Sequence, residues 1–98
     1  MVENYVEELN NKLGEECNEV GQIVCKINNW GIDGFNPVTN ETNSDLLHQE
    51  VGDVLTMIDL LITEGILDEM KLQNAKIKKR IKFRQWAKFS PKPVEIKE

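Results

Sequence analysis

Five carboxylates fall in two short runs of this 98-residue chain: Glu15, Glu16 and Glu19, then Glu50 and Asp53. Glu16 and Glu19 stand three residues apart, as do Glu50 and Asp53. On a helix such residues are neighbours, so each pair can grip one ion. Placement sharpens the point. At about 100° per residue, Glu16 falls inside the apolar arc of Leu9, Leu13, Val20 and Ile27. Glu19 lies at the edge of that arc and Glu15 one step further out. Glu50 falls inside the arc of Leu47, Val51, Val54, Met57, Ile58 and Leu61, and Asp53 lies between the columns of Leu46 and Leu60. Four carboxylates on packing faces are strongly unfavourable unless something compensates them. Basic side chains, shared protons or divalent cations can do so. Lys12 and Lys26 are the only bases on these two segments, which is too few. Hard cations with oxygen ligands fit best, namely Mg2+ or Mn2+. The plain alternative is a ring of solvated acids at the end of a bundle. A zinc site is not expected from a single histidine, His48, and no Cys-x-x-Cys.

The elements that must position these acids are helical. Apolar residues recur at spacings of three and four from Val2 to Ile27, which predicts a first amphipathic helix there. Gly14 and Gly21, seven apart, leave one side open to close helix approach. Asn28 to Glu41, with Gly31, Gly34 and Pro37, reads as a loop. Thr42-Asn43-Ser44-Asp45 offers N-caps, including a Thr-x-x-Asp variant of the capping box. A second helix then runs to about Glu64 and stops at Gly65. Asp68 caps a third, over about Glu69 to Lys88. Pro91 and Pro93 end it. The expectation is an all-α fold: a short helical hairpin plus a third helix in one domain, residues 1–89, with a flexible tail over 90–98. So short a chain buries little alone, which predicts four-helix-bundle cores formed through a homodimer or homotetramer.

Charge is divided along the chain. The net charge is −5, but residues 1–70 carry −13 and residues 71–98 carry +8. The acidic balance argues against nucleic-acid and membrane-surface binding. No run of residues is long and apolar enough for a bilayer. The start, Met-Val-Glu-Asn, is unlike a signal peptide. A cytoplasmic protein is therefore expected. Cys17 and Cys25, eight residues apart on one helix, are too distant to bridge and are expected as buried free thiols. On the third helix, Lys71, Asn74 and Lys78 share one face, and Arg80 lies four residues beyond Lys76. They read either as a solvated face or as a phosphate-binding face beside the acids, where polyphosphate charge is offset by side chains and metal. Trp30, after the first helix, is a candidate base-stacking residue, or else a core or subunit-contact tryptophan.

Taken together, Glu15-Glu16-Cys17-Asn18-Glu19 followed by Glu50-Val51-Gly52-Asp53 resembles the EExxE … ExxD signature of the MazG-like all-α nucleoside triphosphate pyrophosphohydrolases. Asn74-Ala75-Lys76-Ile77-Lys78-Lys79-Arg80 looks like the later Asn-x-Lys … Arg segment of that superfamily. The likeness covers about residues 5–89 and is closest to its short, single-domain phage and bacterial members. It implies Mg2+-dependent cleavage of a (deoxy)nucleoside triphosphate between the α- and β-phosphates, giving a nucleoside monophosphate and pyrophosphate. It implies metal ligation by Glu16, Glu19, Glu50 and Asp53, and phosphate binding by Lys76, Arg80 and Asn74, with Lys78 beside them. Glu15 or Glu19 would take the proton of the attacking water. The 30-residue spacer between the acid motifs is long for the signature, and Gln49 stands where some members have another acid. The competing expectation is a non-enzymatic helical module that senses a nucleotide or docks on a protein.

Overall fold

The computed structural model describes residues 3–89. Three helices account for most of them, in the order α1 (Tyr5–Trp30), α2 (Asn43–Thr63) and α3 (Glu69–Trp86). Among the described residues the one β feature is an isolated bridge between Phe35 and Thr42. The all-α expectation is met. The expected tail, 90–98, lies outside the described residues. The chain divides into two units, Met1–Leu67 and Asp68–Glu98.

The first unit is an α1–α2 hairpin. Asn4 caps α1, its side chain accepting the Glu7 N–H at 2.9 Å. Helix α1 continues a turn beyond the predicted end, through Trp30, although Asn28 and Asn29 are poor helix formers. What stops it is Gly31, whose φ of 84° is a conformation that favours glycine. The connecting loop then folds back on this end of the hairpin. Asn43, buried, donates its side-chain N–H to the Gly31 carbonyl at 2.9 Å, and its backbone N–H goes to Gly34 O at 2.7 Å. Gly34 sits so close that an added Cβ would lie 2.7 Å from the Trp30 carbonyl oxygen.

Helix α2 begins with the predicted capping box. Thr42 Oγ1 accepts the Asp45 N–H at 3.0 Å, and Asp45 Oδ2 accepts the Thr42 N–H at 3.1 Å. The two helices pack through Leu9, Ile23 and Leu61, the apolar side chains buried in this unit among the described residues. Glu16 lies in the same buried row of α1 as Leu9 and Ile23, seven residues from each. Other apolar side chains remain open, among them Val24 (42 % exposed) and Leu55 (55 %). Gly14 and Gly21 have no neighbour within 4 Å of an added Cβ, so neither serves helix approach within the hairpin. Cys17 and Cys25 are free, as expected, but exposed rather than buried. On the helix, Cys25 lies opposite the Leu9–Glu16–Ile23 row that faces α2, and Cys17 lies about 100° to one side of it.

The second unit is α3, capped as predicted by Asp68, whose side chain accepts the Met70 and Lys71 N–H groups. None of its residues is buried. At about 100° per residue, Met70, Ile77 and Ile81 share one side, and Leu72, Phe83 and Trp86 the opposite side. Trp86 meets Phe83 edge-on, ring centroids 5.4 Å apart, and Lys79 Nζ lies 5.4 Å from its ring centre.

Candidate metal centre

The hairpin brings the two acid pairs together. One oxygen from each of Glu16, Glu19, Glu50 and Asp53 lies within 4.8 Å of the others. The cause is local. Residues 16 and 19 are one helical turn apart on α1, 50 and 53 are one turn apart on α2, and antiparallel packing sets the two turns side by side. Glu16 is 6 % exposed and Glu50 is half-buried, whereas Glu19 and Asp53 reach solvent. The site is therefore floored by buried acids and open on one side.

The buried oxygens are the informative atoms. Glu16 Oε2 and Glu50 Oε2 are both shielded from water and have no hydrogen-bond partner. A buried carboxylate oxygen without a donor is costly, and a cation bound beside it would offset that cost. Protonation answers only part of this cost. Burial, then the charges of Glu19 and Asp53, raise the Glu16 carboxyl above its ordinary range. Glu19 is also raised, first by the Glu50 carboxyl as hydrogen-bond partner. The donor set is all oxygen, two residues from each helix, with two solvent-facing members. Such a set suits Mg2+ or Mn2+, which keep water or substrate oxygens in the remaining positions.

The remaining expected site residues are placed as follows. Glu15 is outside the four-oxygen group and binds Lys12, Nζ to Oε2, at 3.1 Å. Asn74, Lys76, Lys78 and Arg80 are exposed on α3. Trp30 is 76 % exposed and lines, with Lys26, Phe35, Pro37 and Leu46, a cleft of about 340 Å³ beside the loop.

Two features were missed in the sequence. Lys12 Nζ also lies 3.6 Å from Glu16 Oε1, so it leans on the acid cluster from one side. Its pKa is raised, chiefly by the Glu15 hydrogen bond. The i to i+3 and i+4 spacings from Lys12 to Glu15 and Glu16 carried that signal. The second feature is a larger cleft, about 550 Å³, whose walls include Tyr5, Leu9, Asn11, Lys12, Met57 and Leu60. No sequence pattern marks it, because its walls come from α1 and α2 residues far apart in the chain.

No protein-family model matches the chain, no curated protein matches it, and no solved structure does.

Proposed function

We propose that the chain is a Mg2+-dependent nucleotide pyrophosphohydrolase, cleaving a (deoxy)nucleoside triphosphate between its α- and β-phosphates. One observation carries the reading. Four carboxylates from two helices converge within 4.8 Å, and two of their buried oxygens lack any donor. The EExxE … ExxD order of those same acids selects this chemistry among the metal-dependent ones.

Glu16, Glu19, Glu50 and Asp53 would hold a divalent cation, which would supply polarisation of the phosphoryl group and a more acidic water. The chain's own residues do the rest. Glu16 and Glu50, fixed in the hairpin interior, hold their oxygens in place without reorganisation. Water adds to the α-phosphorus, the bond to the bridging oxygen breaks, and pyrophosphate leaves. The water's proton passes to a carboxylate at the open edge, Glu19 or Glu15.

The active form in this proposal is a homo-oligomer. Leu13, Val24, Val51 and Leu55 are apolar and not fully buried in a single hairpin. Pairing two hairpins over them would complete a four-helix core.

A panel of canonical and modified nucleotides with Mg2+ or Mn2+, products identified by chromatography, tests the activity. The expected products are nucleoside monophosphate and pyrophosphate in equal amounts. Glu16→Ala and Glu50→Ala should each lower turnover about 100-fold or more. Absence of turnover across the panel, or nucleotide binding that survives both substitutions unchanged, favours a non-enzymatic module.

A further inference from the structure

We infer that the cleft between the N-terminal half of α1 and the C-terminal half of α2 is the nucleoside subsite. In it Tyr5, Leu9, Met57 and Leu60 hold a planar heterocycle, and Lys12, at the junction with the acid cluster, takes an oxygen of the α-phosphate. The inference rests on the pyrophosphohydrolase reading and adds the location of the substrate's organic half.

Two clefts flank the acid cluster along the hairpin, and chemistry discriminates between them. In a nucleoside 5′-triphosphate a single ester oxygen joins the sugar to the α-phosphorus. If the α-phosphorus is attacked at the acid cluster, the sugar must adjoin that cluster directly. The Tyr5 cleft meets this condition. Lys12 and Glu15 line it, and Lys12 Nζ lies 3.6 Å from the buried Glu16 carboxylate. On α2, Met57 is one turn from Asp53. On α2 the Trp30 cleft is equally near, Leu46 being one turn from Glu50, but on α1 it starts further away. Its α1 wall begins at Lys26, seven residues from Glu19 and so about 10 Å along the helix axis.

Size and lining agree. At about 550 Å³ the Tyr5 cleft lies inside the usual range for small-molecule sites, whereas the Trp30 cleft, at about 340 Å³, is near its lower end. Leu9 is buried and Met57 and Leu60 are half-buried, which gives an apolar floor. Tyr5, 49 % exposed, supplies an aromatic ring on which a base could stack. The Asn11 amide offers both a donor and an acceptor to a base edge. Lys12 pairs with this cluster through Glu16. A divalent cation on Glu16 would repel its ammonium, freeing it to turn to a phosphate oxygen.

The test compares inorganic tripolyphosphate with the α,β-methylene analogues of dATP, dGTP, dCTP and dTTP. Binding to the full chain is measured by calorimetry with saturating Mg2+. The wild type should bind at least one analogue more tightly than tripolyphosphate. Tyr5→Ala should weaken that analogue about tenfold and leave tripolyphosphate unchanged. Lys12→Met should weaken both, without reducing the Mg2+-induced rise in melting temperature. Unchanged analogue affinity in Tyr5→Ala, or a selective loss in Trp30→Ala instead, overturns the subsite. Wild-type binding of tripolyphosphate with no preference for any analogue overturns the subsite and leaves the metal–phosphate reading standing. Binding of neither, with no effect of Mg2+ on melting, overturns both.

Discussion

Glu16 shows the conflict between stability and function most sharply. A carboxylate 6 % exposed, with one oxygen unpartnered and two further acids raising its pKa, destabilises the hairpin when no cation is present. Lys12 offsets part of this from one side, but its side chain is 53 % exposed and such a pair contributes little. Glu16→Gln keeps the volume and removes the charge. It should raise the melting temperature of the metal-free protein by several degrees and abolish the further rise with Mg2+. For the wild type, a cation at a hundred times its Kd adds about 2.7 kcal/mol, or about 10 °C or more for a domain of this size. Thermal melts with EDTA and with Mg2+ give both numbers. A solvated acid ring would show neither effect.

At the scale of elements, the loop and the two caps around it set the register of the acid pairs. Thr42→Ala removes the capping acceptor of α2 and should cost about 1 kcal/mol in denaturant unfolding. Asp45 completes that box. Hydrogen bonds from Thr42, backbone first, hold its carboxyl below the usual range. A depressed carboxylate stabilises the fold above its unfolded pKa, about 3.9, and the contribution disappears as pH falls through the lower folded value. Asp45→Asn should therefore lose stability at neutral pH and show a shallower decline on the acid limb. Gly34→Ala should destabilise by pressing on the Trp30 carbonyl, with only backbone and a buried amide to yield. These caps were legible in the sequence because a cap is a local contract over three or four residues. Asp68 and Thr42 both act as expected. The end of α1 was misread by one turn because Asn28 and Asn29 resemble loop residues. The helix persists there because Gly31 supplies the real stop and Asn43, twelve residues away, ties down its carbonyl.

The whole molecule is short of core. Among the described residues its first unit buries three apolar side chains, and α3 buries none while presenting apolar stripes on opposite sides. One neighbour cannot cover both stripes. Sedimentation at micromolar concentration should show a dimer or tetramer, and a monomer would contradict the proposed assembly. Thiol reactivity maps the surface involved. Cys17 shares a side of α1 with Leu13 and Val24, whereas Cys25 lies away from it. Assembly over that stripe should slow modification of Cys17 and spare Cys25. Periodicity revealed which side of α1 and of α2 is apolar and that acids interrupt it, so the meeting of Glu16, Glu19, Glu50 and Asp53 was legible. It did not reveal what covers an apolar side, which is why the thiols were expected inside, and it gave no sign of the Tyr5 cleft. The central claim is that this acid cluster is a divalent-cation centre. Titration of Mn2+ into the metal-free protein, followed by electron paramagnetic resonance, tests it most directly. Saturable binding is expected, and it should be lost in the Glu16→Gln, Glu50→Gln double variant. Equal binding by wild type and variant, or none by either, would contradict it.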